Sequence, residues 1–319
     1  MRTFLCNQYR LLPAALLTAV FLLTAGCGKD NQRSGRAVRI RIDSGTLTSR
    51  SDTPDETRIS DLNLFAFRED SELEERLWIS SRQFREDGEY SMALPKGLAY
   101  SLYACVNFGY EIRDVHSRED LERYRYYMAY PDEYSRGIPM SGIAEIDGET
   151  DDVTIPLERM MAKISLRIDR RDLDKDVRFN VYSVLVGNTP RSASAFGTSR
   201  VQGEMDTFSR GFDRTGTQAD GLNRIRGETS EEVSVYLLEN LQGDRPDFPS
   251  YIEIRAEYNS SSRYTPPGEY LIYRFHLGSG PGNYDVQRNF HYRFTVRPEA
   301  SGLLTEDSWK VDKTVLSHY

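Results

Sequence analysis

The sequence predicts an all-β protein: two antiparallel β-sandwiches of Greek-key type in tandem, with one short helix in the first. Three observations carry that expectation. Segments that alternate apolar and polar residues recur from Ala37 to the carboxyl end, separated by turn signals, as half-buried strands require. The 319 residues include 20 Tyr and 14 Phe, and aromatic and β-branched side chains suit a pleated, half-buried surface. A single stretch, beginning at Ser117, combines helical spacing with a capping signal.

Before the first strand, Met1–Arg10 is polar and carries Arg2 and Arg10, and Leu11–Ala25 is apolar. A membrane-spanning helix needs about 20 apolar residues. A basic start, a shorter apolar centre and small residues at its end describe a secretory signal peptide, residues 1–26, removed from the mature chain. A short anchor helix or a buried core helix is the alternative. What remains has the length of two domains of about 150 residues each. Of the cysteines, Cys6 lies in the signal, Cys27 directly follows it and Cys105 stands in apolar LYACV. No internal disulfide is available, so packed cores must hold the fold. Cys105 reads as a small buried side chain rather than a nucleophile. The net charge of −8 argues against a nucleic-acid partner, which calls for a concentrated basic face.

Residues 27–36 form a polar tether, and AVRIRID (Ala37–Asp43) then puts Val38, Ile40 and Ile42 on one face and Arg39 and Arg41 on the other. ISDLNLFAFR (Ile59–Arg68) is a strongly apolar strand. Glu89–Leu94 and Leu98–Phe108 flank the turn signal Pro95-Lys96-Gly97 and read as a hairpin. In SREDLERYRYYMAY, Ser117 is an N-cap with Asp120 three places on, and Leu121, Tyr124 and Met128 share a helical face. Asp152–Glu158 and Met160–Asp169 alternate again, and the boundary between the sandwiches, 37–159 and 160–319, falls at Arg159. No linker of Gly, Ser or Pro separates them, so the halves are expected to be held closely. Asp176–Asn188 is a strand, whereas Thr189–Glu232 is long, polar and aperiodic, a segment that crosses between sheets or carries function. VSVYLLEN, YIEIRAEY, EYLIYRFHLG and NFHYRFTV are four further strands, and the tail 301–319 contains one more alternating run.

No catalytic or metal-binding constellation emerges. Of His116, His276, His291 and His318, the second and third oppose the apolar faces of their strands, and neither HExxH, CxxC nor GxSxG is present. LGSGPGN (Leu277–Asn283) runs between two strands with Pro281 inside it, so it reads as a hairpin connection and not as a phosphate loop leading into a helix. Two carboxylates brought together only by the fold are the remaining enzymatic reading. No catalytic residue, metal, cofactor or small-molecule substrate is expected.

Four sets of residues resemble known motifs or families. Thr24-Ala25-Gly26-Cys27 resembles a bacterial lipobox, with Thr24 where leucine is usual; the resemblance implies cleavage after Gly26 and lipid on the Cys27 thiol. Gly28-Lys29-Asp30 resembles an outer-membrane sorting and surface-export signal of Bacteroidales lipoproteins. VYLLENLQG (Val235–Gly243) with FHLGSGPGNYDVQRNFHYRFTV (Phe275–Val296) resembles a signature of Bacteroidales fimbrial proteins. LNLFAF, LPKGLAYSLYACVNFG and VTIPLERMMAKISLRID resemble FimB-type fimbrial anchor lipoproteins of those bacteria. The resemblance implies two transthyretin-like β-sandwiches, a lipid anchor in the outer membrane, and strand exchange with a fimbrial shaft subunit. An anchor of this family keeps its first strand, whereas tip and shaft subunits lose theirs to an arginine-specific protease. Arg50, in the loop TLTSRSD, stands where such a cut would fall. The tail, with Trp309, Val311 and Val315, is either the exchanged strand or the last strand of its own domain. A tip or shaft subunit, or a surface lipoprotein binding glycans or host proteins, is the alternative function.

Overall fold

In the computed structural model, residues 35–44, 56–84, 88–131, 133–134, 136–208, 212–215, 217–261, 270–280, 282–299 and 309–317 are described. The first half contains β1 (Gly35–Asp43), β2 (Leu62–Arg68), β3 (Leu73–Ile79), β4 (Glu89–Pro95), β5 (Tyr100–Val106), α1 (Arg118–Glu122), β6 (Arg125–Tyr127), β7 (Met140–Ile146), β8 (Asp152–Pro156) and β9 (Glu158–Arg159). They build two sheets, ordered β4-β1-β8 and β3-β2-β5-β7-β9. Alternation places the sheets face to face: Val38, Ile40, Met92 and Ile155 from one share a core with Leu64, Leu102 and Met140 from the other. Strands β2 and β5 are buried on both faces: segment 107–115 covers the outer face of β2, and Phe196 packs on Tyr103 of β5. There, Asn63 donates to the Tyr110 carbonyl at 3.0 Å and accepts from Ile112 N at 2.9 Å.

The second half contains β10 (Met161–Ile168), β11 (Val177–Gly187), β12 (Ser192–Ser194), β13 (Phe212–Thr215), α2 (Thr217–Asn223), β14 (Ile225–Arg226), β15 (Thr229–Ser230), β16 (Val233–Leu238), β17 (Tyr251–Ser260), β18 (Tyr270–His276), β19 (Phe290–Pro298) and β20 (Trp309–Ser317). Two more sheets result, β16-β10-β19-β20 and β13-β11-β17-β18, packed over Ile164, Leu166, Val184, Ile254, Phe294 and Val296. The fold is the all-β sandwich architecture that the alternating pattern predicts. Among the described residues pairing is antiparallel with two exceptions that repeat one design: β1 runs parallel to β8, and β10 parallel to β19. In each sandwich the opening strand thus lies between one antiparallel and one parallel neighbour.

Several local expectations are corrected. Strands β4 and β5 do not form a hairpin: β4 pairs with β1, and β5 with β2 and β7. The turn at Lys96-Gly97, where Gly97 has φ +74°, carries the chain from one sheet to the other. The glycine segment after β18 likewise joins strands of different sheets and is not a hairpin connection. Helix α1 is shorter than its spacing predicts. Its capping box forms as expected, Ser117 accepting from Asp120 N, but it ends at Glu122. Arg125–Tyr127 instead becomes β6, paired with β12, since β-prone tyrosines with a partner strand outweigh a three-residue periodicity. A second helix, α2, lies in the segment 189–232, together with β12 to β15.

Candidate functional site

The terminal strands and the joint between the two sandwiches are the places where this chain departs from an ordinary pair of sandwiches. Strand β1 fills the centre of its sheet. It pairs with β4 from Gly35↔Pro95 to Arg41↔Glu89, and with β8 from Arg39↔Asp152 to Asp43↔Pro156. Val38, Ile40 and Ile42 are buried beneath it. At about 1.5–3 kcal/mol for each fully buried side chain, they hold the strand with an upper bound of roughly 5–9 kcal/mol. Arg36 is also buried and donates to the Asp147 carbonyl at 2.6 Å. The outer face carries the ion pairs Arg39–Asp152 at 2.9 Å and Arg41–Glu89 at 2.6 Å. Both are exposed and contribute about 0–1 kcal/mol each.

Strand β20 is held differently. Among the described residues it forms an edge, pairing only with β19, from Phe290↔Ser317 to Pro298↔Trp309. Its inward face presents Val311, Lys313 and Val315; the two valines are partly buried against the core. Between them the Lys313 ammonium lies 5.4 Å from the ring centre of Phe294 and 5.9 Å from that of Tyr292. Burial pushes its pKa down to about 8. A lysine on the inward face of an edge strand weakens side-chain packing and discourages unwanted strand pairing. The corresponding edge in the first sandwich, β8, is short and ends in Pro156, which offers no amide to an added strand.

The sequence predicts that the halves are held closely, but not which residues join them. Glu56 is buried, 3 % exposed, and its carboxylate accepts from Lys163 Nζ of β10 at 2.6 Å and from the Tyr236 hydroxyl of β16. Arg159 of β9 donates Nε to the Glu56 carbonyl at 3.3 Å and Nη2 to the Ser44 carbonyl at 3.4 Å. Ser44 Oγ also reaches the Thr57 carbonyl at 3.3 Å. A second part of the joint is a strap from the other half. Strand β12 pairs with β6, Phe196 meets Tyr103 edge-on at 4.9 Å, and Ala193 and Ala195 enter the first core.

Residues of the segments Val235–Gly243 and Phe275–Val296, with their neighbours, secure that strap. Arg288 donates to Glu239 at 3.0 Å, to the Ser194 carbonyl at 2.9 Å and to the Gly197 carbonyl at 2.7 Å. Asn240 bridges Val201 N, at 3.0 Å, to the Phe248 carbonyl and Ser250 Oγ. Gln242 accepts from the amides of Asp247 and Phe248, both at 3.1 Å. These residues therefore play a structural part: they organise loops of the second sandwich and tie one of them to the first. The only sequence trace of the Glu56 joint is a lysine, Lys163, on the polar phase of β10.

Gly26, Cys27 and Arg50 lie outside the described residues. Cys105 is buried, and burial pushes its thiol pKa up, consistent with an unreactive side chain. His276 is exposed on the non-core face; His291, also on that face, is buried, with Nε2 2.8 Å from Ser165 Oγ. Burial, then Lys163 and Arg293, lower its pKa to about 4, so it is neutral near pH 7. Among the described residues no group of three His, Cys, Asp or Glu side chains could hold a metal ion. An open groove along β1, of about 1000 Å³, is bordered by Arg39, Leu77, Ile79, Glu89 and Asp152 and gathers no nucleophile–base pair.

Two closely joined β-sandwiches, with the first strand central in its sheet and the last at an edge, are the fold on which several solved structures align with this chain. Among solved structures, a Bacteroides eggerthii protein named for cell adhesion aligns with a TM-score of 0.65 at 15 % identity, over 91 % of this chain and 98 % of that one. A fimbrilin from Porphyromonas gingivalis aligns with a TM-score of 0.60 at 14 % identity, over 89 % and 98 %. A tip fimbrial protein from the same species aligns with a TM-score of 0.53 at 13 % identity, over 89 % and 99 %. No protein-family model and no curated protein matches the sequence.

Proposed function

We propose that this chain is a non-catalytic anchor subunit of a surface fimbria, attached to the outer membrane by lipid on Cys27 and joined to a shaft subunit through β20. The observation that carries the reading is the contrast between the two terminal strands. Strand β1, which follows the Cys27 tether, is central, doubly paired and packed on three buried apolar residues. Strand β20 is a peripheral strand with two partly buried valines and an inward lysine. A firmly held end suits attachment, and a lightly held end suits exchange with a neighbour, in which main-chain bonds give strength and alternate side chains give specificity. The fold shared with a fimbrilin and a tip fimbrial protein supports the setting.

Mass spectrometry of the protein from cells tests the anchor role. An acylated Cys27 on a chain continuous through Arg50 is expected. A mature chain beginning at Ser51 would instead support a tip or shaft subunit. Deletion of the anchor should give longer, detached fimbriae, and cell-bound fimbriae of normal length would refute it.

A further inference from the structure

Four successive contacts lead from β20 to the strap that enters the first sandwich. In the first, Val315 stands opposite Tyr292 across the ladder and Lys313 lies over the same ring, so β20 covers one side of a tyrosine that is 2 % exposed. In the second, the Tyr292 hydroxyl donates to the Asp285 carbonyl at 3.1 Å and accepts from the Gln287 amide at 3.0 Å, pinning the turn that leads into β19. The third is made by the next residue, Arg288, which reaches from that turn to Glu239 and to the carbonyls of Ser194, Ala195 and Gly197. The fourth is the strap itself, where Ser141 Oγ donates to the Ala195 carbonyl and Phe196 meets Tyr103. Val286 exchanges both main-chain bonds with Asn240, at 2.8 and 2.9 Å. Tyr292 therefore governs the flanks of the turn, Asp285 and Gln287, rather than its centre.

We infer that docking of β20 and seating of the strap are coupled through Tyr292 and Arg288, so that a subunit whose last strand has left also loosens the joint between its sandwiches. Departure of β20 admits water to the Tyr292 ring and hydroxyl. A hydroxyl bond that water can replace holds its partners weakly, and the flanks of the turn then fray. Arg288, 7 % exposed, grips the strap only while its acceptors converge on one buried guanidinium; once the turn frays, water takes their place. Linkage makes the effect mutual, since a loosened strap eases the departure of β20 in turn. The inference rests on the proposed exchange of β20 and adds its regulation: a neighbour that takes the strand alters the hold on the first sandwich.

Hydrogen exchange with mass spectrometry, on the full chain in detergent, reads the strap and β20 separately. Ending the chain before Trp309 should speed exchange of the strap amides about five- to 150-fold, the usual span of coupling between sites, and leave β2 unchanged. Val311→Ser with Val315→Ser weakens docking at full length and carries the comparison if the shortened chain does not fold. Tyr292→Phe keeps the ring and removes the hydroxyl, and should abolish the response of the strap to loss of β20. Phe196→Ala, at the strap's contact with the first sandwich, should speed exchange of the β20 amides. Strap amides that exchange alike with and without a docked β20 overturn the inference, as does a Tyr292→Phe chain that responds like wild type or a β20 indifferent to Phe196→Ala. Acylation of Cys27 in cells judges the anchor reading separately, so either can fail alone.

Discussion

Replacing Lys313 with methionine should strengthen the attachment of β20 to its own sandwich. The side chain points inward between Val311 and Val315, and burial lowers its pKa from 10.5 to about 8. At 1.36 kcal/mol per pH unit that interval is about 3.4 kcal/mol. Water screening at a partly exposed ammonium reduces this to about 1–1.5 kcal/mol, and attraction to the faces of Phe294 and Tyr292 offsets roughly 0.5–1 kcal/mol of it. Methionine has no desolvation cost there and gains contact with the same rings, about 0.3–1.5 kcal/mol, so the variant should be about 1 kcal/mol more stable at pH 7. The sign with pH follows from proton binding. Between pH 8 and 10.5 the released strand holds a proton that the docked strand has lost, so wild-type attachment strengthens as pH rises through that window. Below pH 8 the full penalty applies. Urea unfolding and amide exchange of β20 across pH 7 to 10.5 would show a rise for wild type and a flat profile for Lys313→Met. A less stable variant, or a flat wild-type profile, refutes the reasoning.

Arg288→Met should cost about 3–5 kcal/mol, because Glu239 would remain buried and uncompensated; the denaturant midpoint measures it, and adding Glu239→Gln should recover part of the loss. Gly278→Ala should cost about 2 kcal/mol or more. Its φ is +129° and a Cβ there would come within 2.1 Å of the Asn283 carbonyl oxygen, so the thermal midpoint should fall by several degrees.

Much of the fold is legible in the sequence because period-two alternation is a local signal. AVRIRID, DVTIP and WKVDKTVL each show their two faces, and β1, β8 and β20 form where the pattern places them. What the pattern cannot carry is the choice of partner. Nothing within Glu89–Phe108 distinguishes a hairpin from a crossover, since both need the same turn at Gly97; the decision lies in β1 and β2, which are distant in sequence. Helix α1 ends early for the same reason, as its continuation is claimed by β12 far downstream. The joint was hidden more completely. Glu56 stands in a polar stretch that reads as loop, and only the folded chain shows that its carboxylate is enclosed by Lys163 and Tyr236. The lipidation and cleavage motifs, by contrast, are legible as motifs alone.

The position of β1 has a mechanical consequence. A tug applied at Gly35 along the strand axis loads two rows of main-chain hydrogen bonds together, since neighbours flank the strand on both sides. Bonds stressed side by side in shear must fail collectively, whereas those of a strand lifted from a border yield one after another. Strand β1 is thus built to resist traction and β20 to peel, the division of labour that the proposed anchor requires.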